Sequence, residues 1–305
     1  MAQESLYKDY SGLRFKAIVD WIEVEIQTIE PTHYDAIYRL TGAFTYPIDP
    51  NNIGKSATIF RLKIQDPNSW QAVVGLVELI KSKYSLIKPF EVVGIEVAFD
   101  AYNRNNRNST VNLEMVVAIF HKFNTHTNEK RLAKNLARID KTRMYRMKGE
   151  KSFSTPPNLQ SLMRKLVEGW QIGIGDQNSD CYQHVYFKTT NGGKPCEPRA
   201  RIEITLRGTK LPFTSHEEWS KFNFAILAKP YFNFRKLRLD VTLLELLIAD
   251  SSERIGKRII RNRRSGGTKL FASVTEADTE LNSLARDKLR DLSDRWQAKK
   301  RILIK

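Results

Sequence analysis

Period-two alternation of apolar and charged side chains recurs along this chain and restricts its fold more than any other feature. Ile22, Val24 and Ile26 alternate with Glu23 and Glu25 in the stretch Ile18 to Ile26; Phe60, Leu62 and Ile64 alternate with Arg61 and Lys63; Ile95, Val97 and Phe99 alternate with Glu96, Ala98 and Asp100. Successive strand residues point to opposite faces, so each stretch predicts a strand with one face in a core and the other carrying charge. Leu113, Met115, Val117 and Ile119 predict a further strand on the same ground. Two more are expected around 181–189 and 200–207, and the segment between them, containing Asn191-Gly192-Gly193 and Pro195, predicts a hairpin.

Helical spacing falls between these strands, over Pro31 to Leu40 and over Ser69 to Lys83, where Trp70, Val73, Val74, Val77 and Ile80 share a side. After Pro156-Pro157 a helix is expected over Leu159 to Glu168. The tail reads as helical from Leu243, breaks at Ser265-Gly266-Gly267, and ends in an amphipathic helix over about Glu276 to Lys299 with Leu281, Leu284, Leu289, Leu292 and Trp296 on its apolar side. The sum is an α+β protein: a twisted, mainly antiparallel sheet flanked by helices, with a basic helical C-terminal region. An α+β domain over 1–240 and a basic helical region over 241–305 are the expected divisions.

Charge points to the partner. Lys and Arg number 50 against 34 Asp and Glu, a net charge of +16. Residues 1–100 hold 10 basic and 13 acidic side chains, so the remaining 205 hold 40 and 21, and the whole excess lies downstream. A phosphate backbone rewards clustered cations through counterion release, so a nucleic acid is the expected partner. The basic segment 121–151 reads equally as an arm along phosphates or as an exposed helix. Arg254, Lys257, Arg258, Arg261, Arg263 and Arg264 form the second cluster and are the candidate duplex-binding residues. No run approaches the roughly 18 apolar residues of a membrane span, and residues 1–10 carry charges where a signal peptide needs an apolar stretch, so the expected location is the cytoplasm, with no membrane partner. Cys181 and Cys196 form no CxxC pair and stand at no zinc spacing, so reduced thiols are expected.

The chemistry concentrates on the hairpin. Alternation puts Tyr182, His184, Tyr186 and Lys188 on one face of its first strand, and Arg201, Glu203, Thr205 and Arg207 on one face of its second. A hairpin symmetric about residues 194 and 195 would pair Tyr186 with Glu203. A phenol, with a pKa of about 10, becomes a useful nucleophile only when a base or a cation favours the phenolate. A carboxylate-held Mg²⁺ or Mn²⁺ would serve, with Lys188 and the arginines as a second clamp on a phosphate. Tyr182 is the rival nucleophile on the same face.

These residues resemble a known family. The run Gly169-Trp170-Gln171-Ile172-Gly173-Ile174-Gly175-Asp176-Gln177-Asn178-Ser179-Asp180, then Val185-Tyr186-Phe187-Lys188, then Arg201-Ile202-Glu203-Ile204, is similar to the core motif of rolling-circle replication initiators of the Rep_trans type, which include MobT-like relaxases. Val19-Asp20-Trp21-Ile22 resembles that family's opening strand and Gly94-Ile95-Glu96-Val97-Ala98-Phe99-Asp100 its acidic central strand, so the likeness spans roughly residues 15 to 240. His184 stands where the family has Arg, and Phe187 where it has an acid. The resemblance implies that Tyr186 attacks a DNA phosphate, leaving a 5′-phosphotyrosine and a free 3′-hydroxyl, with His184 and Lys188 assisting. It implies metal ligation by Glu203, Asp20 and Glu96 or Asp100. The last two share a strand face but lie about 13 Å apart at roughly 3.3 Å per residue, so one ion would not join them. Origin duplex and nicked single strand are the implied partners, with a helicase and a second copy of the chain as further ones.

Other designs fit less well. His33, His121, His126, His184 and His216 include no His-x-His pair for the commoner metal-dependent nicking site, and no His-x-x-Arg for a tyrosine recombinase. Gly54-Lys55-Ser56 lacks the upstream glycine of a phosphate-cradling loop. The alternative from another class is a non-catalytic, sequence-specific DNA-binding protein, with the sheet as scaffold and the Arg-rich tail as its grip.

Overall fold

Strand β1 (Leu13–His33) runs for 21 residues through the middle of the molecule. The computed structural model describes residues 10–49, 56–105, 107, 113–122, 124, 143–147, 170–174, 178–191, 194–238 and 275–297. After β1 come α1 (Tyr34–Thr41), β2 (Phe44–Pro47), β3 (Ser56–Gln65), α2 (Trp70–Lys81), β4 (Glu91–Asn103), α3 (Leu113–Lys122), β5 (Arg143–Met147), β6 (Trp170–Ile174), β7 (Cys181–Asn191) and β8 (Lys194–Arg207). A two-stranded ribbon of β9 (Arg235–Leu237) and β10 (Thr275–Ala277) precedes α4 (Thr279–Gln297). The main sheet has eight strands in the order β2-β3-β1-β4-β8-β7-β6-β5. Every neighbouring pair is antiparallel, so the α+β architecture expected from the alternation is the one observed.

The alternation decides which face is which. Ala17, Val19, Ile22, Val24 and Ile26 of β1, Phe60 and Leu62 of β3, Val97 and Phe99 of β4, and Ile202 and Ile204 of β8 are buried in one core. Onto it α2 brings Trp70, Val73, Val77 and Ile80, and α4 brings Leu281, Ala285, Leu289, Leu292 and Trp296. The Trp296 indole lies 5.7 Å from Trp70 and donates to the Trp219 carbonyl at 2.9 Å. Arg295 donates to the Ala17 carbonyl at 2.6 Å and ties α4 to β1. Helix α4 therefore shares the sheet's own core, while Arg254 to Arg264 lie outside the described residues. No helix among the described residues is long and apolar enough to cross a membrane.

One element is a correction. Residues Leu113 to Ile119 form helix α3, not a strand, with Leu113, Val116, Val117 and Phe120 buried at i, i+3, i+4 and i+7. A short apolar run satisfies both periods, and packing against β7 and β8 decides for the helix. The expected helix over Leu159 to Glu168 lies outside the described residues.

A bulge in β1 shapes the charged face. The register of β1 with β4 skips between Val19 and Trp21, and Val19 and Ile22 both stay in the core. The extra residue turns both Asp20 and Trp21 to the charged face, which strict alternation would have forbidden.

Candidate active site

The charged face of β1, β4, β8 and β7 carries the chemistry. Across β4 and β8, Glu96 stands opposite Thr205, Ala98 opposite Glu203 and Asp100 opposite Arg201. Across β7 and β8, His184 stands opposite Glu203 and Tyr186 opposite Arg201, which corrects the expected pairing of Tyr186 with Glu203. The strands end at Asn191 and resume at Lys194, and the register then slips between Lys188 and Thr190. The net offset from the symmetric hairpin is two residues. An even offset keeps every side chain on its face, so Tyr186 and Glu203 remain diagonal neighbours.

The Tyr186 hydroxyl donates to Glu203 Oε2 at 3.1 Å, and His184 Nδ1 lies 2.9 Å from Glu203 Oε1. Asp20, Glu96 and Glu203 each offer a carboxylate oxygen within 4.8 Å of the others, an arrangement that could hold a metal ion. The Thr205 hydroxyl donates to Glu96 at 2.6 Å. Lys188 Nζ lies 3.7 Å from Asp20.

Asp100 is engaged elsewhere. The Arg201 guanidinium grips it in a bidentate pair at 2.6 and 2.8 Å, the Tyr102 hydroxyl donates to it at 3.1 Å, and both Asp100 and Arg201 are fully buried. A third nitrogen of Arg201 bonds Asp20. Planar, permanently charged guanidinium suits such a buried fork, and the Arg-x-Glu alternation on the charged face was its signal in the sequence. Neither Arg201 as hub nor Thr205 as Glu96's donor was assigned from the sequence.

Electrostatics separates the three acids. Burial, then the charge of Glu203, pushes the Glu96 carboxyl up to about 8, against the opposing pull of Thr205 and Lys63. Burial would also raise Asp20, but Arg201, Lys188 and Arg199 outweigh it and hold its carboxyl below the usual range. Burial and the adjacent Glu203 drive the Tyr186 phenol well above its ordinary value, with Arg201 opposing. At rest the site thus holds a neutral phenol hydrogen-bonded to Glu203.

Other expected residues fall into place. Tyr182 stands opposite Thr205, its ring 5.9 Å from His184. Phe187 packs against the core, so an acid at that position would face away from the trio. Asp180 accepts from the Thr209 backbone at 2.9 Å and its own carbonyl accepts from Arg207 at 2.8 Å, a brace at the mouth of β7 and β8. Ser179 donates to the Cys181 carbonyl at 2.7 Å. His33 caps α1, and His216 packs its ring 4.9 Å from Phe90.

No protein-family model matches the chain, and no curated protein matches it. It is similar to a solved structure of a rolling circle replication initiator protein from Geobacillus stearothermophilus, with 12% sequence identity, 75% of this chain and 90% of that one covered, and a TM-score of 0.35. At that degree of likeness no residue's role is transferred from that protein to this one.

Proposed function

We propose that this chain is a replication initiator or relaxase that nicks one DNA strand with Tyr186 as the nucleophile. The observation that carries the reading is the Tyr186 hydroxyl bonded to Glu203 at the edge of a three-carboxylate cluster. Three clustered oxygens suit a hard divalent ion such as Mg²⁺ or Mn²⁺, and the Glu96 carboxyl, raised first by burial and then by the charge of Glu203, would be compensated by such an ion. When bound by Asp20, Glu96 and Glu203, the ion supplies charge compensation at the scissile phosphate.

The chain's own groups do the rest. Glu203 Oε2 takes the phenol proton as the Tyr186 Oη–P bond forms and the P–O3′ bond breaks, and the 3′-oxygen leaves with its electron pair and is protonated by solvent. The products are a 5′-phosphotyrosine and a free 3′-hydroxyl, and reversal reseals the strand. His184, bonded to the other oxygen of Glu203, orients that carboxylate. Lys188, beside Asp20, steadies the phosphate. Arg201, wholly buried, positions Asp20 and touches no DNA. The cationic run Arg254, Lys257, Arg258, Arg261, Arg263 and Arg264 is assigned to duplex binding on its charge alone.

The test is incubation of the full chain and Mg²⁺ with supercoiled plasmid carrying the DNA that flanks its gene. A covalent protein–DNA adduct with a free 3′-end is the expected product. Tight binding without any adduct would leave a non-catalytic DNA-binding protein instead.

A further inference from the structure

Beside the carboxylate trio lies a second arrangement that the nicking chemistry does not use. The Trp21 indole lies over Gly94, where an added Cβ would meet the ring at 3.1 Å, so a bare backbone in β4 is what admits it. Lys63 Nζ sits 3.9 Å from the Trp21 ring centroid and the Arg207 guanidinium carbon 5.3 Å from it. Three strands supply the cluster: Lys63 from β3, Trp21 from β1 and Arg207 from β8. Glu23, the cross-strand partner of Lys63, is taken by the Tyr46 hydroxyl at 2.6 Å. Among the described residues Lys63 has no salt-bridge partner; its ammonium rests on the Trp21 ring and interacts with Glu96 only through its charge.

The register fixes where this cluster stands relative to the nucleophile. Along β4, Gly94 is level with Arg207, Glu96 with Thr205, Ala98 with Glu203 and Asp100 with Arg201. Trp21 is level with Glu96, and Tyr186 with Arg201. The trio Asp20, Glu96 and Glu203 therefore lies between the Lys63–Trp21–Arg207 cluster on one side and Tyr186 with Lys188 on the other. Attacking and leaving oxygens lie roughly in line across a transferring phosphoryl group. With Tyr186 on one side of the phosphorus, the 3′-oxygen departs toward Trp21.

We infer that Lys63 and Arg207, held on Trp21, bind the phosphates of the strand segment upstream of the cut, the one that ends in the new 3′-hydroxyl. The inference rests on the nicking reading and adds a polarity to it: the upstream strand lies over β3 and β1, the covalently held strand over β7. After cleavage the cluster keeps the 3′-end within reach for resealing. Phosphate contacts of this kind position a strand without reading its sequence.

The test uses the intact chain carrying Tyr186→Phe, so that binding is separated from reaction, with and without Lys63→Ala and Arg207→Ala together. Fluorescence anisotropy with a labelled twelve-nucleotide oligo(dT) is expected to show roughly tenfold weaker binding for the double variant, and a salt dependence shallower by about 1.4 units of slope, about 0.7 for each cation removed. Lys229→Ala with Arg286→Ala, on another surface, controls for net charge. Once the adduct has mapped the nick, two half-site oligonucleotides settle the polarity: the half ending in 3′-hydroxyl loses affinity, and the half beginning with 5′-phosphate keeps it. Equal losses for both halves, or unchanged oligo(dT) binding in a protein whose wild type forms the adduct, would overturn the inference while leaving nicking intact. Absence of any wild-type adduct would end the nicking reading and the polarity with it. Trp21→Phe, which keeps a ring beneath both cations, is expected to bind within threefold of the parent.

Discussion

The Tyr186 hydroxyl donates to Glu203 across a diagonal of the β7–β8 pair, at 3.1 Å, while the residue directly opposite Tyr186 is Arg201. Nucleophile and acceptor are thus held by a two-stranded ladder instead of a loop. Tyr186→Phe removes the attacking oxygen without altering the ring, so adduct formation is expected to vanish. Loss of one hydrogen bond to a charged acceptor costs about 1.5–3 kcal/mol at most, and His184 still bonds Glu203, so the variant remains folded. Denaturing gels for the adduct and a thermal melt check the two halves of this expectation; an adduct from the folded variant would place the nucleophile elsewhere, with Tyr182 first in line.

Arg201 is the larger stability lever. It neutralises Asp100 and Asp20 where all of Asp100 and the guanidinium itself are shut off from water. Arg201→Met strips the buried Asp100 carboxylate of its bidentate partner and leaves it only the longer contact to Arg199 at 3.4 Å, and a loss of about 3 kcal/mol is expected in urea unfolding. Adding Asp100→Asn removes the stranded charge and should restore part of that loss. If Arg201→Met alone unfolds at the wild-type urea concentration, the ion pair contributes nothing and the hub assignment fails.

Period and distance decide how much of this was readable beforehand. Alternation gave the strands and, because a two-residue offset preserves faces, it gave the shared face of Tyr186, His184, Lys188 and Glu203 even though the assumed register was wrong. It did not give the bulge that turns Asp20 and Trp21 to one side, because the apolar Ile18 and Trp21 mask the shift of the buried phase from Ala17 and Val19 to Ile22 and Val24. Leu113 to Ile119 fitted both periods, and only contact with β7 and β8 distinguishes them. The approach of Asp100 to Arg201 joins residues 101 positions apart, and charge alternation alone does not say which acid a cation will take.

Glu96 makes the site's cation dependence a function of pH. In the free protein its carboxyl is pushed up to about 8 from an ordinary 4.5. The folded state thus keeps a proton that the unfolded state releases. The stability this contributes is full below about pH 4.5, declines as pH rises through the folded value near 8, and is level above it. A divalent ion replaces that proton, so stabilisation by saturating Mn²⁺ should grow between about pH 6 and 8, with proton release on binding. Differential scanning calorimetry with Mn²⁺ and with chelator measures it. A metal-induced shift of equal size at both pH values would remove Glu96 from the ligand set, and Glu96→Gln should abolish the pH dependence.

Gly208, just beyond β8, tests whether Asp180 braces the hairpin or serves its chemistry. The glycine has φ of +47°, and a Cβ there would meet Asp180 Oδ1 at 2.7 Å. Gly208→Ala therefore incurs about 1–2 kcal/mol of left-handed backbone strain and must also push the carboxylate off the Thr209 amide it accepts at 2.9 Å. Asp180→Ala alone loses the brace but makes room for a methyl group. In the double variant the steric part of the penalty disappears and only the backbone part persists, so the two substitutions should be less damaging together than their sum. A double-mutant cycle in urea unfolding reads that coupling, and adduct formation by the folded Asp180→Ala protein should persist. Loss of the adduct at unchanged stability would instead make Asp180 part of the reaction, and the hairpin mouth would then belong to the active site.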